Sequence, residues 1–219
     1  MKNILGREVP DFIEGYGKVN HYNGYLANTT GVVKKNYNFK TVTPEDSKLH
    51  TDLAELMDKL PLKDGMVISF HHHLRNGDYV LNLVMEEIAK RGYKDITIAA
   101  SSIFPCHKPL VEMIEKGIVT QIYAGYMSGP VAQAISEWKM QKPAVMHTHG
   151  GRARIMETGE VEVDIAFVAA PTSDEYGNIN GVDGKSACGA LGYAHSDVEN
   201  AKLVVAITDN LVPYPNTTI

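Results

Sequence analysis

The sequence predicts an α/β fold with an open, mainly parallel sheet flanked by helices. Short apolar runs with strand character alternate with segments of helical spacing, and turn signals such as Asp64-Gly65 separate them. Strands that alternate with helices are typical of βαβ units, whose right-handed crossovers produce parallel sheets. We therefore expect the loops after the strands to lie on one edge of the sheet, with their polar residues close together. These loops are residues 71–77, 101–106, 124–129, 148–152 and 170–185.

The composition and charge of the chain limit the classes of protein to which it can belong. It has 219 residues, of which 44% are hydrophobic, and a formal net charge of −5. These values are typical of a globular protein with one large or two small domains, and they argue against a nucleic-acid partner, which usually requires a basic patch. No apolar run approaches the roughly 20 residues of a membrane span, and the first residues resemble no signal peptide. We expect a cytoplasmic protein without a membrane partner, and its two cysteines do not amount to a disulfide framework.

The first 42 residues are rich in glycine, asparagine and tyrosine, which predicts an irregular arm. A helix is expected next, with Thr43 as its N-cap and Pro44 in its first turn. Leucines at helical spacing give this helix an apolar face, and Pro61 ends it. We divide the chain accordingly into an arm with a scaffold helix, residues 1–62, and an α/β domain, residues 63–219.

A strand, a loop and a helix are predicted at the start of the α/β domain. Met66–Phe70 is a short apolar run that suits a buried strand, and Asp78–Arg91 has the spacing of an amphipathic helix. The loop between them lies at the carboxyl end of a strand and at a helix N-terminus. Ligands bind at such places in open α/β sheets, because backbone N–H groups and the helix dipole favour anions. The candidate binding residues here are Ser69, His71, His72, His73, Arg75, Asn76 and Gly77.

The same alternation continues to the end of the chain. Strands are predicted at Asp95–Ala100, Ile118–Tyr123, Ala144–His147, Asp164–Ala169 and Lys202–Ile207. One helix is expected over His107–Lys116. Another is expected to begin at Ser128-Gly129-Pro130 and to carry an apolar side that includes Trp138.

Five histidines are expected on one edge of the sheet, since His147 and His149 follow a later strand. Three consecutive histidines point in different directions, and no carboxylate or cysteine stands at a fixed spacing from them, so no metal ligand set is assigned. With Arg75, the histidines are better suited to bind carboxylate or phosphate oxygens. A metal-dependent hydrolase built on the histidine cluster remains an alternative.

Two further loops are candidate walls of the same pocket. Gly150-Gly151 follows a strand and predicts either a backbone nest that leads into a short helix or a plain turn. In the loop after the strand that ends at Ala169, Asp174 is suited to orient the backbone, and Gly177-Asn178 to form a turn with positive φ. We include Asp174, Gly177 and Asn178 among the candidate binding residues.

Three stretches resemble the alpha subunit of citrate lyase, within the CoA-transferase superfamily. They are DGMVISFHHHLRNGDYVLN, VDIAFVAAPTSDEYGNING and AKLVVAITDNLVPYPNT. General CoA transferases have a glycine-rich run after the first strand, where this chain has histidines, and this difference favours the citrate lyase branch. The resemblance implies the fold of CoA transferases (NagB/RpiA-like), and the N-terminal half of a two-domain chain whose second domain is absent from this sequence.

The resemblance also implies a reaction and partners. An alpha subunit of this family transfers the thiol of an acyl carrier protein, or of CoA, from acetyl to citrate. It implies no cofactor bound to this chain, with acetyl-CoA or the phosphopantetheine-type arm of the carrier protein as substrate. It implies the beta subunit, which cleaves citryl thioester, and the gamma subunit, the carrier protein, as partners in a homo-oligomeric complex. The catalytic residues stay unassigned, and a non-catalytic anion-binding module of the same fold is a further alternative.

Overall fold

The computed structural model describes residues 1–3, 6–19, 48–71, 79–192 and 194–216. Their secondary structure alternates between helices and strands from residue 53 to residue 169, as the sequence predicts. In chain order the elements are β1 (Phe12–Ile13), β2 (Gly17–Lys18), α1 (Leu53–Lys59), β3 (Val67–His71), α2 (Val80–Lys90), β4 (Ile96–Ala100), α3 (Leu110–Glu115), β5 (Val119–Ala124), α4 (Gly129–Ser136), β6 (Val145–Met146), α5 (His149–Glu157), β7 (Ile165–Ala169), β8 (Thr172–Ser173), β9 (Ile179–Asn180), α6 (Ala194–Asn200) and β10 (Leu203–Ile207).

The central sheet has the strand order β10-β7-β3-β4-β5-β6, and every neighbouring pair is parallel. The chain first runs outward from β3 to β6. It then crosses back through α5 and places β7 on the other side of β3. The strand order therefore reverses between β3 and β7, and ligands bind outside the carboxyl ends of the strands at such a switch point.

Two apolar cores cover the two faces of the sheet. Successive residues of a strand point to opposite faces, so Ile68 and Phe70 of β3 join the core under α1–α4. Phe70 stacks on Phe167 of β7 with ring centroids 5.7 Å apart. The smaller core lies under α5 and α6, contains Ile155 and Val168, and has Val67 of β3 packed against it. Both faces of β3 and β7 are thus buried, which explains why their sequences are continuous apolar runs.

Both α4 and α5 begin after a residue type that favours helix N-caps, and the cap of α5 makes a side-chain hydrogen bond whereas that of α4 does not. Ser128 is the N-cap of α4 and Pro130 lies in its first turn. Thr148 is the N-cap of α5, and its side chain accepts the N–H of Gly151 at 3.0 Å. Among the described residues, no helix combines the length and the apolar character needed to cross a membrane.

Three helix predictions are corrected at their ends. Residues 48–52 are not helical, and α1 begins only after Asp52, whose carboxylate accepts the Glu55 N–H at 2.8 Å. Thr43 and Pro44 lie outside the described residues. The helix expected over His107–Lys116 is divided into a short 3-10 helix at Pro105–His107 and α3, because Pro109 has no N–H to continue the hydrogen bonding.

Trp138 is the third correction, since it lies beyond α4 and not on its buried side. Its φ is 61° and its side chain is 90% exposed. The Trp138 N–H donates to Ile135 and the Lys139 N–H donates to Ala134, both at 3.0 Å. This is the Schellman pattern that closes a helix, with tryptophan in the position usually held by glycine.

The sequence gives no signal for several small elements. The arm, expected to be irregular, contains the antiparallel hairpin β1–β2. β8 and β9 pair antiparallel within the loop after β7, and α6 precedes β10.

Candidate functional site

Backbone hydrogen bonds align the carboxyl ends of β3, β4, β5 and β6 at one edge of the sheet. The Ser101 N–H donates to Phe70 at 3.2 Å, and the Gly125 N–H donates to Ser101 at 3.1 Å. The His147 N–H donates to Ala124 at 3.0 Å. The described carboxyl ends of β3, β4, β5 and β6 therefore meet at one edge of the sheet, and this edge is the candidate site; residues 72–78 of the first loop lie outside the described residues.

Among the described candidate residues, His71 lies beside the switch point between β3 and β7. It is the last residue of β3, pairs in register with Val168 of β7 and is 9% exposed. Ser69 precedes it by two residues, so both lie on the sheet face covered by α5 and α6. The other candidates of this loop lie outside the described residues: His72, His73, Arg75, Asn76 and Gly77.

The first turn of α5 supplies the second part of the candidate site. His149 is the first residue of the helix and is exposed, and Gly150 and Gly151 complete the turn. An added Cβ at Gly151 would come within 3.0 Å of the Thr148 Oγ1 atom that caps the helix, so glycine suits this position. The expected short helix is present, but it begins at His149, so Gly150-Gly151 lie within its first turn and not in a nest or a plain turn before it.

A buried ion pair lies beneath the two parts of the candidate site, the end of β3 with His71 and the first turn of α5, and connects them. Arg152 of α5 and Asp197 of α6 are 2% and 1% exposed, with Nη2 and Oδ2 2.8 Å apart. The same Nη2 atom donates to Ser69 Oγ at 2.9 Å, and Ser69 Oγ donates to Asp197 Oδ2 at 2.9 Å. It also lies 3.3 Å from the carbonyl oxygen of Ala99 in β4. One guanidinium group thus connects α5, α6, β3 and β4.

Ser69 was a candidate ligand residue, whereas Arg152 and Asp197 carry no signal in the sequence. Arg152 is separated from Ser69 by 83 residues and from Asp197 by 45, so no local spacing relates them. Burial raises the pKa of the Asp197 carboxyl above its usual range, while Arg152 and the Ser69 hydroxyl act in the opposite direction. Ser69 is fully buried within this network.

His147 lies after β6, near the far edge of the sheet, and packs on Tyr123. The two rings are stacked with centroids 5.7 Å apart. Burial lowers the pKa of His147 below its usual value of 6.5, with Glu160 opposing and Arg152 and Arg154 reinforcing the shift. The imidazole is therefore mainly neutral at pH 7, and it is suited to hydrogen bonding more than to charge pairing with an anion.

Asp174 organises the turn that follows β8. One carboxylate oxygen accepts the N–H groups of Tyr176 and Asn178, both at 3.0 Å. The other accepts the Asn178 side-chain amide at 2.8 Å and the Asn216 N–H at 2.9 Å. Gly177, with φ of 89°, and Asn178 form the exposed part of the turn. These four donors show that Asp174 orients the backbone, which is one of the roles that the sequence suggests for it.

Among the residues that the structure describes, no group of three histidine, cysteine, aspartate or glutamate side chains is arranged to hold a metal ion. The described part of the site instead offers an imidazole at a strand end and a capped helix N-terminus above a buried ion pair.

These features define an α/β domain whose candidate site lies at the switch point of a parallel sheet. The chain belongs to the citrate lyase alpha subunit (CitF) family, because the model of that family matches residues 46–219.

Sequence similarity to curated proteins supports the assignment to this family. The chain is 48% identical over 171 residues to the citrate lyase alpha chain of Escherichia coli, covering 78% of this chain and 34% of that one. It is 46% identical over 174 residues to the citrate lyase alpha chain of Haemophilus influenzae, covering 80% and 35%. The chain therefore spans about a third of the length of the curated relatives it matches.

A solved structure from Streptococcus mutans has the same fold. It is described as the alpha subunit of citrate lyase in complex with citrate, and it is 47% identical to this chain with a TM-score of 0.82. The match covers 100% of this chain and 42% of that one. The mainly parallel, helix-flanked sheet expected from the sequence is thus the fold of a family member.

Proposed function

We propose that this chain supplies the citrate-binding α/β domain of an alpha subunit that exchanges acetate for citrate on a thioester. One observation carries the proposal: a relative 47% identical, whose match covers the whole of this chain, was solved in complex with citrate. The position of His71 at the switch point, and of the α5 N-terminus at the same carboxyl edge of the sheet, supports a small anion as ligand.

The reaction requires two nucleophilic steps. A carboxylate of citrate attacks the carbonyl carbon of the acetyl thioester, which forms a mixed anhydride and releases the thiolate. The thiolate then attacks the citryl carbonyl of the anhydride, forms the citryl thioester and releases acetate. The protein must hold a tricarboxylate close to the thioester and stabilise the oxyanion that develops in each step.

The residues proposed for these tasks come from the loop edge. We assign citrate oxygens to Arg75 and to the histidines His71, His72 and His73, because guanidinium and imidazole groups donate charge-assisted hydrogen bonds to carboxylates. Backbone N–H groups around Asn76-Gly77 and in the first turn of α5 are suited to developing negative charge.

The remaining candidates form the wall of the pocket in this proposal. His149 and Gly150-Gly151 contribute through the start of α5, and His147 contributes a mainly neutral imidazole. The Asp174–Asn178 turn is held in one conformation by its own hydrogen bonds and serves as a rigid boundary.

The proposal extends to the assembly. The carrier-protein gamma subunit, with its phosphopantetheine-type arm, or acetyl-CoA would present the thioester, and the beta subunit would cleave the citryl product. No cofactor resident on this chain is needed for the two steps. A homo-oligomer and a cytoplasmic location are parts of the same proposal.

Calorimetric titration of the chain with citrate, and separately with acetyl-CoA, tests the proposal. Arg75→Ala should weaken citrate binding by about 1.5–3 kcal/mol, the usual worth of a hydrogen bond to a charged group. Arg154→Ala is the matched control, because Arg154 is an exposed arginine of α5 whose guanidinium pairs with Glu160. Equal affinity of Arg75→Ala and wild type would remove Arg75 from the site.

The alternatives predict different results in the titration and in two further measurements. Citrate binding without any binding of acetyl-CoA would favour a non-catalytic anion-binding module. Metal that copurifies with protein prepared without a metal-affinity column would favour the metal-dependent hydrolase. Turnover of acetyl-CoA and citrate to citryl-CoA by the full-length alpha chain, lost in Arg75→Ala, would support the transferase.

A further inference from the structure

The buried network of Ser69, Arg152 and Asp197 lies directly behind both described parts of the candidate site. Ser69 is two residues before His71 on the same face of β3. Arg152 is three residues after His149, about one helical turn from the start of α5. The 2.9 Å bond between Arg152 Nη2 and Ser69 Oγ therefore joins the two elements just behind their functional ends.

Asp197 fixes the direction of this bond. Its two carboxylate oxygens lie 3.0 and 2.8 Å from Arg152 Nη2, and the second also accepts the Ser69 hydroxyl at 2.9 Å. Three groups that contact one another cannot shift independently. The spacing between the end of β3 and the start of α5 is thus set by a closed triangle of hydrogen bonds.

We propose that Ser69, Arg152 and Asp197 are positioning residues that hold the first turn of α5 at a fixed distance from His71, so that both can contact one anion. This inference rests on the proposed function, because the anion is citrate in that proposal. None of the three residues is proposed to touch the ligand. They act through His71 and through the N–H groups at the start of α5.

Stability alone is a poor reason for an ion pair at this place. The core under the same two helices is apolar and contains Ile155, Met156, Val168 and Ala194. A buried ion pair surrounded by such residues can often be replaced by apolar side chains of similar volume without loss of stability. What apolar side chains cannot provide is a directed contact, and a displacement of about 1 Å at a binding site can reduce function by about 100-fold.

The test separates stability from positioning with the double variant Arg152→Met/Asp197→Leu. This variant removes both charges together and refills the space with apolar side chains. We expect a thermal midpoint within about 3 °C of wild type and a citrate affinity at least about tenfold weaker. We also expect the amides of the first turn of α5, Gly151 among them, to exchange hydrogen at least about tenfold faster.

The matched control is Glu112→Leu/Lys116→Met, which removes an exposed ion pair at α3, on the other face of the sheet. It should leave citrate affinity within about twofold of wild type. Ser69→Ala keeps the ion pair and cuts only the connection to β3, so it serves if the double variant does not fold. It should weaken citrate binding at least about threefold with little loss of folded protein.

Each outcome decides the inference. The inference is overturned if the folded double variant binds citrate with wild-type affinity and its α5 amides exchange at the wild-type rate. If Ser69→Ala replaces the double variant, the same unchanged values in Ser69→Ala would overturn the inference. If wild type itself binds no citrate, the proposed function fails. The exchange measurement still decides the positioning role. Faster amide exchange confined to the start of α5 supports that role, and a change in exchange rate of similar size along the whole chain contradicts it.

Discussion

The carboxylate of Asp174 accepts the backbone N–H of Asn216 at 2.9 Å across 42 residues of sequence. Asn216 in turn donates its side-chain amide to the carbonyl of Asn178 at 2.9 Å and accepts from Asn180 at 2.6 Å. The segment that follows β10 is therefore fastened to the turn after β8 by polar side chains. This arrangement makes Asp174 the centre of a structural unit at the carboxyl edge of the sheet.

Replacement of Asp174 by asparagine should destabilise the protein by about 2–3 kcal/mol. The new amide nitrogen would face two N–H donors that the carboxylate now accepts, so buried donors would lose their partners. Urea unfolding followed by circular dichroism measures the change. Asp209→Asn is the control, since Asp209 is exposed, and it should alter stability by no more than about 0.5 kcal/mol.

The contribution of Asp174 should also depend on pH. Burial opposes ionisation of its carboxyl, but the donors from Asn216, Asn178 and Tyr176 outweigh it and hold the pKa below the usual 3.8. A lowered folded-state pKa means stability that is present above the unfolded-state value and is lost as the pH falls through the folded-state pKa. The stability difference between wild type and Asp174→Asn should be constant above about pH 5 and shrink below pH 3.8. A difference that grew on acidification would contradict this assignment.

Gly181 and Gly177 should respond differently to alanine. A Cβ at Gly181 would lie 2.0 Å from the carbonyl oxygen of Gly189, whose own N–H donates to Gly181 at 2.8 Å. Gly181→Ala must separate these two backbones and should cost about 2–3 kcal/mol. At Gly177 a Cβ meets no atom within 4 Å, so only its φ of 89° opposes alanine, at about 1 kcal/mol. Denaturant midpoints of the two variants test whether Gly181→Ala loses more stability than Gly177→Ala. Equal losses of stability would show that the loop around Gly181 relaxes freely.

Trp138→Gly should stabilise the isolated chain by about 0.5–1 kcal/mol. Glycine adopts the left-handed conformation without the penalty that a side chain carries, and part of this gain is offset by the greater freedom of glycine in the unfolded state. The indole is 90% exposed, so little burial is lost. Trp138→Ala retains the strain and should leave stability nearly unchanged. Trp138 is the single tryptophan, so unfolding is followed by far-UV circular dichroism; a destabilised glycine variant would mean that the indole makes a stabilising contact.

The sheet could be predicted because its strands are buried on both faces. Apolar runs such as Ile165–Ala169 leave few other possibilities once helices alternate with them. The start of α1 could not be predicted in the same way, because Thr43-Pro44 and Asp52 both have suitable capping chemistry. α6 was missed because its buried positions include Ser196 and Asp197, so it lacks the apolar periodicity that reveals a helix.

The edge that carries the candidate site followed from topology alone. The carboxyl ends of parallel strands must meet on one side, and His71 at the end of β3 and Gly150-Gly151 in the first turn of α5 both lie at that edge. Sequence could not reveal that Arg152 turns inward, since neighbouring Arg154 has the same chemistry and is exposed. The difference depends on Asp197, which the fold brings from another helix.

The strand order of the sheet has a consequence for biosynthesis. β3 and β4 can pair as soon as both have emerged from the ribosome, but the other edge of β3 is completed by β7. The Val67 N–H at the start of β3 donates to a carboxylate oxygen of Asp164, which is 97 residues later. At about 5–20 residues per second, translation of that interval takes roughly 5–20 s. During this time β3, which lies at the centre of the native sheet, has one unpaired edge. Nascent chains on neighbouring ribosomes can pair with that edge.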